Sequence, residues 1–184
     1  MTYQAYLDGI SAGVIKLSHT QKLQLAWELC CRLSPLYQTF QDKENWGNSS
    51  LLAHVRNAAE NFLAGQTNQS LPAEAEIEKI TPDTEDFGST LGSHALDTAI
   101  SHIYLSRLCT YDSPEALISI LSICFDVLDR FEQQFTGISD AKFTNAEMEW
   151  QFTVLSKRTE DKDFTLSYVV ESDEIIHAAL KEYE

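Results

Sequence analysis

Residues 113–135 read SPEALISILSICFDVLDRFEQQF, and their pattern decides the fold. Ser113 before Pro114 signals a helix start, because proline lacks only an N–H that the first turn leaves unpaired anyway and its φ is already helical. Beyond it Leu117, Leu121, Cys124, Leu128, Phe131 and Phe135 recur at steps of four and three, which makes one apolar seam. The run is too short for a free coiled coil, so the seam calls for partner helices. Gly137 marks its end.

Working outward, Leu91 to Thr110 carries Leu96, Ala99, Ile100, Ile103 and Tyr104 on one side and Leu105 on the other. That predicts a central helix buried on more than one face. Downstream, Asn145 is the expected cap of a helix bearing Met148, Phe152 and Leu155. The 164–170 stretch alternates Phe164, Leu166, Tyr168 and Val170 as a strand would, while Asp163 would cap a helix towards Tyr183; helix is the favoured reading.

Towards the N-terminus, Leu7, Ile10, Val14 and Leu17 predict a first helix that Gly9 and Gly13 would fray. Ser18 and Gln21 form a capping-box start for Leu23, Ala26, Cys30, Leu33, Tyr37 and Phe40, with a kink or break expected near Ser34 because Pro35 cannot donate to the carbonyl four residues back. Asn48 and Ser49 cap a helix through Leu52, Val55, Ala59 and Phe62 that Gly65 ends. Pro72 suits the first position of a short acidic helix, Ala73 to Ile80, stopped by Thr81-Pro82. The whole predicts an all-α fold, a single-domain bundle of about seven to eight helices over residues 1–184.

Twenty-eight acids against thirteen bases give a net charge of −15, which disfavours nucleic acid and anionic membranes and suits a partner with a basic surface. The only local basic cluster, Lys157, Arg158 and Lys162, is interrupted by Glu160 and Asp161. Cys30, Cys31, Cys109 and Cys124 form no Cys-x-x-Cys and lie in apolar helical stretches, as small hydrophobes in a reducing cytoplasm would. The opening MTYQAYLDGISAGVIKL has no basic n-region followed by an apolar core, and no stretch is long and apolar enough to span a membrane. A cytoplasmic location is the expectation.

Candidate chemistry is sparse. Glu174 and His177 make one Glu-x-x-His pair where a di-iron bundle needs two, so no metal site and no cofactor is expected. Glycine-rich phosphate loops are absent, and the acids Glu74, Glu76, Glu78, Asp83, Glu85 and Asp86 lack the spacing of a calcium loop. His94, Asp97, Ser101 and His102 cluster on the central helix, but a serine seven residues from His94 stands about 10 Å along the axis, too far for direct proton transfer. No catalytic residue is assigned. The candidate binding surface is Asp83, Asp86, His94 and Asp97.

Pro82-Asp83, Asp86-Phe87, Ser89 and Ala95-Leu96-Asp97, with the earlier Leu33-Ser34-Pro35-Leu36-Tyr37 and Phe40 and the later Glu149-Trp150, resemble the signature of the YjaG-like family of bacterial domains of unknown function. The resemblance covers roughly residues 20–158 and implies an all-helical bundle without assigned activity. Asp86 or Ser89 is then a helix-entry cap and Phe87 a plug for the bundle end. The leading expectation is a non-enzymatic interaction or regulatory protein, with homodimer formation compatible. The alternative is an enzyme, such as a hydrolase, using His94 and Asp97.

Overall fold

The computed structural model describes residues 2–66, 70–135, 142–161, 176 and 180–181. Its helices are α1 (Tyr3–Val14), α2 (His19–Glu44), α3 (Ser49–Leu63), α4 (Glu74–Glu78), α5 (Thr90–Thr110), α6 (Pro114–Phe135) and α7 (Lys142–Glu160). Among the described residues there is no strand, in line with the all-α expectation, and no helix is long and apolar enough to cross a membrane. The 164–170 stretch and the Glu174/His177 pair lie outside the described residues, although Ile176 is helical and buried in the core.

α5 is central, as its two-sided apolar pattern predicts: it packs on α2, α3, α4 and α6. α1 and α7 pack on each other and on α6. The glycines of α1 fit this contact instead of fraying the helix. A Cβ at Gly9 would stand 2.5 Å from Phe152 Cε1 and one at Gly13 3.0 Å from Leu155 Cδ1, so bare backbone lets α1 lie close against α7.

α2 opens with the predicted capping box, Ser18 N–H donating to Gln21 Oε1 at 2.9 Å and Gln21 N–H to Ser18 Oγ at 3.3 Å. The expected break near Ser34 does not occur: α2 runs through Pro35 for 26 residues. Interior proline costs about 3 kcal/mol or more. Leu29, Leu33, Leu36, Tyr37 and Phe40 are all essentially fully buried around it, and each such side chain contributes roughly 1.5–3 kcal/mol, so packing on both flanks outweighs the lost hydrogen bond. α2 ends where Asn45 takes a left-handed φ of 50°.

Asn48 Oδ1 caps α3 by accepting from Leu51 N–H at 3.2 Å, and Gly65 follows that helix with φ +78°, both as predicted. The acidic helix is shorter than expected. Ala73 is its N-cap residue, so Pro72 stays outside; the Ala73 N–H donates to Glu76 Oε2 at 2.9 Å. α7 begins at Lys142, three residues before the predicted Asn145 cap. The buried Glu132 of α6 accepts from Phe143 N–H and Thr144 N–H, both at 3.3 Å, and from Thr144 Oγ1–H at 3.1 Å. A carboxylate from a neighbouring helix thus meets the positive end of the α7 dipole.

Of the two candidate caps before α5, Ser89 serves: its Oγ accepts from Gly92 N–H at 3.0 Å. Phe87 plugs this end of the bundle, its ring centroid 5.1 Å from Phe40 and 5.0 Å from Trp46. Gly92 is what lets the turn close, because a Cβ there would collide with the Phe87 carbonyl oxygen and lie 3.0 Å from Phe87 Cβ. Helix propensity alone would make Gly92→Ala stabilising by up to about 1 kcal/mol. Overpacking against backbone reverses the sign, and a net loss of about 1–3 kcal/mol is expected from urea unfolding; a raised midpoint would refute the close contact.

Candidate functional site

The four residues of the predicted binding surface fall into two places. Asp83 and Asp86 are exposed in the turn before α5, where Asp83 Oδ1 accepts from Glu85 N–H at 2.9 Å and its carbonyl accepts from Asp86 and Phe87 N–H. His94 and Asp97 sit a turn apart on α5, His94 fully buried and Asp97 partly so. Among the described residues no hydrogen bond or ion pair links the two places, so the turn is a surface feature and the α5 pair an interior one.

His94 stacks on Phe131 of α6, ring centroids 4.2 Å apart at 32°. Neither ring nitrogen has a hydrogen-bond partner. Burial, reinforced by the Arg130 charge, pushes its pKa down to about 3. Arg130 forms an ion pair with Asp97, both side chains being partly exposed. Ser101 Oγ donates to the Asp97 carbonyl at 2.9 Å, a local helix bond that takes the serine out of any nucleophilic role with His94.

His102, two turns on, is fully buried with both nitrogens used: Nδ1 lies 2.7 Å from the Thr98 carbonyl and Nε2 2.9 Å from Arg56 Nη1. The carbonyl accepts only from an Nδ1–H, and Nε2 then accepts from the guanidinium, which fixes the neutral tautomer. Burial lowers this pKa to about 3 as well; the Thr98 bond opposes the shift and Arg56 adds to it.

Sequence reading missed the charged interior. Arg32 of α2 and Glu147 of α7, 1% and 0% exposed, form a two-pronged ion pair at 3.0 and 2.9 Å. Gln151 Nε2 donates to Glu147 Oε1 at 2.8 Å and to the Leu121 carbonyl at 3.0 Å, while Tyr6 O–H donates to Gln151 Oε1 at 2.7 Å. The Arg32 guanidinium also lies over the Trp150 ring, 5.3 Å from its centroid. A second buried pair joins Arg158 to Glu28. Arg158 is therefore not part of a basic surface. The signal was a polar residue at a position in register with a buried stripe, since Arg32 adjoins Leu33 and lies a turn from Leu29.

The acidic run divides too. Glu74 holds Arg107 through bonds of 3.0 and 2.9 Å, which lower the Glu74 pKa. Glu78, Glu85 and Asp86 are exposed. Burial pushes the thiols up, Cys109 and Cys124 to about 12 and Cys31 to about 11, so none is a ready thiolate at neutral pH. Among the described residues no group of three or more His, Cys, Asp or Glu is placed to hold a metal ion.

Fold and site together define an all-helical bundle with charged pairs sealed inside it and an acidic turn outside. The chain belongs to the DUF416 family, described as proteins of unknown function, whose profile matches residues 9–166. It is similar to a DUF416 family protein from Shewanella baltica OS155, whose crystal structure was determined at 1.91 Å resolution, with a TM-score of 0.67 and 17% sequence identity. That match covers 100% of this chain and 93% of the other, and at such identity it bears on the fold alone. No curated protein matches the chain.

Proposed function

We propose that this DUF416 protein is a non-enzymatic interaction module of the bacterial cytoplasm, kin to the YjaG-like members, whose acidic turn docks a protein with a basic surface. The observation that carries this reading is the net charge of −15 together with the exposure of Asp83, Glu85 and Asp86 on one tight turn, clear of the buried pairs. Anchoring of that turn by Ser89 and Phe87 supports it, because a rigid acidic projection loses little conformational freedom on binding. Support against a catalytic use of His94 comes from its chemistry. A base with pKa about 3 is weak at neutral pH, and Asp97, the residue that would orient it, is engaged by Arg130.

The test is capture at low salt by the intact protein and by Asp83→Asn/Glu85→Gln/Asp86→Asn. Raising ionic strength from about 0.1 to 1 M shortens the screening length from roughly 10 to 3 Å, so a charge-docked partner is expected to elute. The triple variant is expected to lose that partner with its circular dichroism unchanged. A partner held equally by the variant, or indifferent to salt, removes the turn from the interaction.

A further inference from the structure

α1 and α7 form a layer of their own: they pack on each other and both pack on α6. Their mutual contact is close, since the bare backbone at Gly9 and Gly13 admits Phe152 and Leu155, and Tyr6 O–H donates to Gln151 Oε1 at 2.7 Å. On α6 they cover the stretch around Leu121 and Phe125. Gln151 Nε2 donates to the Leu121 carbonyl at 3.0 Å, and the Tyr6 ring stacks on Phe125 with centroids 5.1 Å apart. Towards α2 the attachment is of another kind, made by long charged and amide side chains: Arg32 to Glu147, Arg158 to Glu28, and Gln21 Nε2 to the Arg158 carbonyl at 2.5 Å.

The contrast with α5 sets the order of strength. α2 and α5 lie so close that short side chains span them: Cys30 Sγ is 3.4 Å from the Ser101 carbonyl oxygen and Thr98 Oγ1 is 3.3 Å from that of Leu33. Close apolar packing is what stabilises such a contact, whereas buried ion pairs return little beyond the cost of drying their charges. Two interior glycines further weaken α1 as a helix. We propose that α1 and α7 leave the bundle together, as one strap across α6 that opens while α2, α3, α5 and α6 stay packed. Glu28 and Arg32 stand four apart on α2, acid first, so once Glu147 and Arg158 depart they are spaced to pair with each other. The opened face of α2 then strands no charge, and the surface uncovered is α6 around Leu121 and Phe125. No residue of the acidic turn belongs to the strap, and either proposal stands if the other fails.

The experiment is amide hydrogen exchange of the full chain, followed by mass spectrometry through rising urea below the unfolding transition. In the intact protein α1 and α7 are expected to share one urea dependence and to exchange about tenfold or more faster than the slowest amides of α5. Glu28→Gln then tests whether the two helices move together, because Glu28 holds α7 through Arg158 and belongs to neither of them. Exchange in α1 and in α7 is expected to quicken by the same factor. Amides of α1 and α7 as slow as those of α5, separate urea dependences for the two helices, or an α7 that quickens without α1 would overturn the strap.

Discussion

Arg32→Met is expected to lower the free energy of unfolding by about 3–5 kcal/mol, because it leaves the Glu147 carboxylate buried with no cation beside it. The pair is 1% and 0% exposed, so water cannot take over the lost partner. Gln151 still donates to Glu147, but one neutral amide hydrogen bond does not replace a two-pronged guanidinium. Urea unfolding of Arg32→Met beside Arg32→Met/Glu147→Leu separates the charge from the packing. The double variant is expected to recover most of the loss, since well-packed apolar replacements of a buried ion pair are often neutral or better. A double variant as unstable as the single one would mean that the pair's shape, rather than its charge balance, holds α2 to α7.

Acid is the second large lever. His94 and His102 are held near pKa 3 in the folded protein against an ordinary 6.5, so as pH falls below 6.5 the unfolded chain takes up protons that the folded chain refuses. Stability from these residues is therefore complete above about pH 6.5 and is lost progressively down to about 3. At pH 5 the loss is about 2 kcal/mol for each histidine by linkage, roughly 4 for both. Glu28 and Asp126, whose pKa values burial raises, act in the opposite direction, so the histidine effect is read between pH 7 and 5 as the difference between the intact protein and a histidine variant. His94→Leu is expected to remove about half of the fall in unfolding free energy across that window. An unchanged pH slope in this variant would show that His94 titrates normally.

Much of the fold was legible because its signals are local. The Ser18–Gln21 box, the Asn48 cap and the apolar steps of α6 each act within a helical turn, and each is where the sequence put it. Pro35 misled because its cost is local while the compensation, burial of Leu29, Leu33, Leu36 and Phe40, comes from other helices. The start of α7 misled for the same reason: Asn145 is a good cap by type, but the capping carboxylate belongs to Glu132, on α6. The candidate site was half legible. A helix face put His94 and Asp97 together, whereas Arg130 lies 33 positions beyond Asp97 and no periodicity relates them. Asp83 and Asp86 share only their charge with Asp97, and composition cannot resolve that charge into places.

The contact between α1 and α7 bears on how the sequence can drift. With Phe152 pressed to where a Cβ of residue 9 would be, and Leu155 to where one of residue 13 would be, these positions are not free to vary singly. A side chain arriving at position 9 before the ring at 152 has shrunk pushes the helices apart; the reverse order opens a void that the newcomer then fills. Relatives are therefore expected to change these positions in pairs, large-to-small on α7 preceding small-to-large on α1, a historical order written into an interhelical distance.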